Sequence, residues 1–96
     1  MMMMATLGVE AANRAVKDGR IGKIMGAMVE RLKPEASYFT SLHGSRTAVF
    51  FFDMTDSSQL PLIAETLFQD LDAKIEFTPA MNAEDLKKGL ASLAAK

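Results

Sequence analysis

The chain has 96 residues, 49% of them hydrophobic and 24% charged, with no cysteine, no tryptophan and a single histidine. That length and composition describe one ordinary globular domain spanning residues 1–96, and the missing cysteine removes disulfides, thiolate chemistry and Cys-ligated metals together. Eleven basic against 12 acidic residues leave a net charge of -1, so no global positive field is available to hold nucleic acid or an anionic membrane.

The opening run from Met2 to Val9 is uncharged and lacks helical spacing, which predicts a short strand apolar on both faces. It is too short to span a bilayer and lacks the basic start and cleavage pattern of a secretory signal, so a cytoplasmic location is the expectation. Glu10 to Lys33 predicts a helix: Ile21, Ile24, Met25, Met28, Val29 and Leu32 form one helical stripe. Asp18-Gly19 carries turn chemistry that predicts a kink or break there, and Pro34 stops the helix at Lys33.

Ala36 to Thr40 and Arg46 to Met54 are strands by their β-branched and aromatic content. The link between them carries Gly44, and a two-residue loop at His43-Gly44 predicts a hairpin. In that register Thr40 faces Thr47, Tyr38 faces Val49, Ala36 faces Phe51, Phe39 faces Ala48 and Ser37 faces Phe50. The second strand is apolar on both faces at its centre.

Asp56, Ser57 and Ser58 are helix-capping residues, and Pro61 is tolerated in the first turn of a helix carrying Leu60, Ile63, Ala64, Leu67, Phe68 and Leu71. Lys74 to Thr78 alternates as a strand, ended by Pro79. Asn82, with Asp85 three residues on, opens a last helix carrying Leu86, Leu90 and Leu93.

The order β, α, β, β, α, β plus a C-terminal helix is the split pattern of an α+β, ferredoxin-like fold. It predicts a four-stranded antiparallel sheet in the order 4-1-3-2, with both main helices on one face. The two strands that this order makes central are the two that read as apolar on both sides. Something must then cover the second face, and a two-fold dimer burying sheet against sheet supplies it.

The segments Lys33-Pro34-Glu35-Ala36 with Tyr38-Phe39-Thr40, Gly44-x-Arg46-Thr47, Phe52-Asp53-Met54, and Thr78-Pro79-x-Met81 before Glu84-Asp85-Leu86 resemble the dimeric α+β barrel superfamily. Within it they are most similar to a group of short bacterial proteins of uncharacterised function. The resemblance runs from about Lys17 to Leu86 and implies a homodimer more firmly than any reaction, because the superfamily includes cofactor-free oxygenases, lactone isomerases, haem enzymes and proteins of no assigned activity.

The face expected to point into the dimer carries Tyr38, Thr40, Thr47, Phe51, Asp53 and Glu76, which are the candidate ligand-binding residues. Asp53 follows three phenylalanines, a setting that suits a general base, or else it accepts hydrogen bonds from the Asp56-Ser57 turn. Tyr38 would orient a small substrate through its hydroxyl, or serve as an amphipathic interface residue. Arg46 and Glu76 form an anion site or are merely solvated charges. His43 at a hairpin tip reads as a turn residue and is wrongly placed for a haem ligand. Arg14, Lys17, Arg20 and Lys23 read as a solvated face.

No phosphate loop, dinucleotide fingerprint, nucleophile elbow or metalloprotease motif occurs, and no metal or cofactor is expected. The expectation is a homodimer of unassigned function binding a small hydrophobic molecule in a pocket on the sheet, with no nucleic-acid or membrane partner. Its alternatives are a cofactor-independent oxygenase or isomerase acting on a small aromatic or lactone through Asp53 and Tyr38, and a structural or regulatory dimer without a ligand. Whether the chain is an enzyme stays open.

Overall fold

The computed structural model describes residues 1–94. Four strands and four helices follow one another as β1 (Met2–Thr6), α1 (Val9–Lys17), α2 (Arg20–Leu32), β2 (Ala36–Leu42), β3 (Ser45–Phe51), α3 (Gln59–Leu71), β4 (Lys74–Thr78) and α4 (Ala83–Ala94). The strands make one open antiparallel sheet in the order β2-β3-β1-β4, the arrangement of a ferredoxin-like α+β fold, with β3 and β1 central. No helix among the described residues is long and apolar enough to cross a membrane.

The β2–β3 hairpin has the register that a two-residue loop requires, with Thr40 opposite Thr47, Tyr38 opposite Val49 and Ala36 opposite Phe51. Both loop residues take positive φ, His43 at 53° and Gly44 at 78°. Such a turn matches the twist of the strands it joins, and it accounts for the histidine without chemistry.

Burial separates the two faces of the sheet. Met3 and Ala5 of β1 and Ala48 and Phe50 of β3 are buried beneath Ala12 and Ala15 of α1, Met28 and Leu32 of α2, and Ile63, Leu67 and Leu71 of α3. These residues form the core, and its helical members are the apolar stripes visible in the sequence. Phe50 is fully buried at its centre and meets Phe39 edge to face, ring centroids 5.9 Å apart.

Two strands, β1 and β3, end earlier than the sequence predicts. β1 ends at Thr6 rather than Val9, because Gly8 caps α1: its carbonyl accepts from Ala12 N–H at 2.9 Å and its own N–H donates to the Leu71 carbonyl at 2.9 Å. The break expected at Asp18-Gly19 is present: two helices meet at Gly19 (φ 79°), where the Asp18 carboxylate accepts from the Arg20 backbone N–H at 3.1 Å and from its Nε at 2.7 Å. β3 ends at Phe51 rather than Met54, because both neighbouring strands run out there, at Ala36 and Met2.

α4 stands apart. A reciprocal capping box forms its N-terminus: Asp85 N–H donates to Asn82 Oδ1 at 2.9 Å and Asn82 N–H to Asp85 Oδ2 at 3.3 Å. None of its described residues is buried, and its packing against the other helices and strands is slight at most. The Cα radius of gyration is accordingly 15.7 Å, against roughly 12.5 Å for a compact chain of this length.

Candidate functional site

Alternation along the strands fixes which residues line the sheet face that no helix covers. From the registers, that face has three rows running across β2, β3, β1 and β4: Ala36–Phe51–Met2–Thr78, then Tyr38–Val49–Met4–Glu76, then Thr40–Thr47–Thr6–Lys74. Its middle is apolar, formed by Met2, Met4, Val49 and Phe51. Tyr38, which is 62% exposed, edges it on one side and the carboxylate of Glu76 on the other. Tyr38, Thr40, Thr47, Phe51 and Glu76 therefore share the face on which the sequence placed them.

They do not converge on one point. Tyr38 and Glu76 stand on opposite edge strands, three strand spacings or about 14 Å apart. Asp53 lies four residues beyond Val49, the partner of Tyr38, which is about 13 Å along the strand direction. One protomer thus does not bring Tyr38 and Asp53 to a common substrate atom. Asp53 is exposed, so the phenylalanines before it do not enclose it. The capping role near it belongs to Asp56, whose carboxylate accepts from Ser58 N–H at 2.9 Å, a bond that holds the Asp56 carboxyl below its ordinary range. Arg46 and Glu76 lie on opposite faces: the Arg46 guanidinium donates to Asn13 Oδ1 of α1 at 2.9 Å, on the helix side. Arg14, Lys17, Arg20 and Lys23 are all exposed.

Two hollows border the sheet. An apolar groove of about 490 Å³ runs between α2 and the β2 edge, lined by Leu7, Ile21, Met25, Phe39 and Ala48, with Thr40, Thr47 and Arg46 at its polar end. It exists because α2 leaves the outer strand of the sheet uncovered, so Phe39, on the helix-facing side of β2, stays 58% exposed. Thr47 itself is buried and donates Oγ1 to the Ser45 carbonyl at 3.1 Å. The second hollow, about 480 Å³, lies at the opposite end of the sheet and is polar, with Asp53, Lys33, Glu35 and Asp85 around Phe51 and Met81.

The candidate ligand residues are therefore divided. Thr40 and Thr47, in one row of the open face, also border the end of the apolar groove, Phe51 and Asp53 border the polar basin, and Tyr38 and Glu76 stand on the open face between them. The groove was missed in the sequence because Ile21 and Met25 read as core stripe. Only the lateral position of α2 shows that they face an empty channel on one side. Among the described residues no group of three acidic or histidine side chains is placed to hold a metal ion. No family model matches the chain, and neither a curated protein nor a solved structure does.

Proposed function

We propose that the chain forms a homodimer of the dimeric α+β barrel kind and binds a small hydrophobic molecule. The observation that carries this reading is its pair of uncovered apolar surfaces. The face built on Met2, Met4, Val49 and Phe51 is apolar and faces away from the helical core, and such a face suits burial against the same face of a second copy, related by a two-fold axis. The groove between α2 and β2 is concave, apolar and ends in a few polar groups, the usual make-up of a small-molecule site, and its volume lies in the usual range for one.

Sedimentation velocity at micromolar concentration tests the assembly: a dimer is expected, and Val49→Asp should yield a monomer. A wild-type monomer at every concentration overturns it. Enhanced fluorescence of anilinonaphthalene sulfonate, reversed by a competing apolar compound and lost in Phe39→Asp, tests the groove. A probe response unchanged by Phe39→Asp would place binding elsewhere.

A catalytic reading has one observation in its favour, the charged basin in which Asp53 sits with Lys33, Glu35 and Asp85. Asp53 would be the base of a cofactor-independent reaction, with Tyr38 supplied by the second copy. Any turnover found on a small aromatic or lactone should then disappear in Asp53→Asn.

A further inference from the structure

We infer that the groove between α2 and β2 takes a small monocarboxylate, with its negative charge on Arg46 and its apolar body over Phe39 and Ala48. The inference rests on the small-molecule reading of the groove proposed above and names the chemistry of what enters it.

Charge is the first observation. The walls are Leu7, Ile21, Met25, Phe39 and Ala48, and Arg46 is the one charged residue on the lining. Alternation along β3 puts Arg46 on the same side as Ala48 and Phe50, toward the helices. A neutral apolar molecule filling the groove would strip water from the guanidinium without replacing it, which costs free energy. A carboxylate at that end replaces the water with charge-assisted hydrogen bonds.

The second observation is how Arg46 is held. Its carbonyl accepts from Leu7 N–H at 2.9 Å, which ties β3 to the end of β1, and its Nη1 donates to Asn13 Oδ1 at 2.9 Å. Asn13 is neutral, so it orients the guanidinium without discharging it. Among the described residues the one ion pair is Arg20 with Asp18, which leaves Arg46 without a carboxylate partner. A guanidinium presents its donors as a planar fork that matches the two oxygens of a carboxylate. Ser41 stands opposite Arg46 in the hairpin register and lines the same end, so its hydroxyl is a further donor beside the fork.

The placement of the apolar walls sets the rest of the ligand. Ala48 lies two residues from Arg46, about 7 Å along the strand, and Phe39 stands opposite Ala48. A molecule anchored at Arg46 lays its apolar part across this pair and against Ile21 and Met25 of α2. A doubly charged head would call for a second cation, and no other lining residue supplies one. The basin at the other end of the sheet is unsuited, because Glu35, Asp53 and Asp85 outnumber Lys33 there and repel a carboxylate.

Titration of the nitrogen-15-labelled full chain with two matched pairs, octanoate with octanol and hydrocinnamate with hydrocinnamyl alcohol, tests the head group. Amide shifts of Ile21, Met25, Phe39, Ser41 and Ala48 report both the site and the affinity. In at least one pair the carboxylate should bind about tenfold tighter than the alcohol, and Arg46→Gln should remove that preference while leaving the alcohol's affinity within about twofold. The wild-type ratio is read without any substitution, and the alcohol shows whether the variant keeps the groove. Equal binding of acid and alcohol in both pairs, or a preference that survives Arg46→Gln, overturns the carboxylate and leaves the groove as a site for neutral apolar molecules. An absence of groove shifts with all four compounds overturns the small-molecule reading itself.

Discussion

Gly8 and Gly26 are both glycines at the start of or within helices, and the structure predicts opposite signs when each becomes alanine. Gly8 has φ -65° and ψ 134°, which any residue adopts, so its need for glycine is purely spatial. A Cβ there would lie 3.0 Å from Asp72 Cβ, 3.1 Å from the Asp72 carbonyl oxygen and 3.2 Å from the Leu71 carbonyl oxygen. Two of these are backbone atoms at the end of α3, and the same Leu71 carbonyl accepts the Gly8 N–H. Relief requires β1 and α3 to separate by a few tenths of an ångström, which lengthens that hydrogen bond. Overpacking of this kind costs about 1–3 kcal/mol, a weakened hydrogen bond adds up to about 1 kcal/mol, and the stiffer unfolded chain returns about 0.4–1 kcal/mol. The net for Gly8→Ala is a destabilisation of about 2 kcal/mol, a fall of roughly 8 to 16 °C in Tm for a domain of this size. Gly26 lies inside α2 with open space where its Cβ would be. Gly26→Ala should stabilise by about 0.5–1 kcal/mol. Urea titration followed by far-UV circular dichroism reads both. A neutral or stabilising Gly8→Ala would refute the close approach of β1 and α3.

Other substitutions test the core, the ionised groups and α4. Phe50 is fully buried, so Phe50→Ala should cost about 3–5 kcal/mol; a double-mutant cycle with Phe39→Leu and Phe50→Leu should return a coupling of about 0.5–1 kcal/mol, and a zero coupling would deny the edge-to-face contact. Hydrogen bonds from the Arg20 side chain and backbone hold the Asp18 carboxyl below its ordinary range. Its contribution is therefore present above the ordinary carboxylate range and is lost as pH falls through the lowered value; carboxyl NMR titration should show this, with Arg20→Gln bringing Asp18 back towards the ordinary range. Asn82→Ala removes one half of the capping box, worth about 1 kcal/mol to α4, so amide exchange in α4 should accelerate while the β3 amides keep their protection. A parallel loss of protection in β3 would show that α4 supports the core of its own protomer.

What the sequence made legible is what local spacing determines. The stripe from Ile21 to Leu32, the alternation from Lys74 to Thr78 and the His43-Gly44 loop each specify an element from residues close in the chain, and the hairpin register followed from the length of its loop alone. Element ends were less legible because they depend on distant partners. Nothing within Phe52-Asp53-Met54 says that β3 must stop at Phe51; the stop comes from where Ala36 and Met2 begin. The sharing of one face by Tyr38, Thr40, Thr47 and Phe51 was legible because alternation is exact in a hairpin. Their separation into a groove, an open face and a basin was not, since that depends on how far α2 sits from the sheet edge.

The same distinction explains why the C-terminal leucines were the least informative signal in the sequence. Leu86, Leu90 and Leu93 have the spacing of a core-facing stripe, and spacing reports that a helix has an apolar side without reporting what covers it. In α3 the equivalent stripe, Ile63, Leu67 and Leu71, is buried within the same chain. In α4 it is exposed, although the helix is capped and regular. Three apolar surfaces then remain open on the chain: a face of the sheet, a groove at the β2 edge and the leucine stripe of α4.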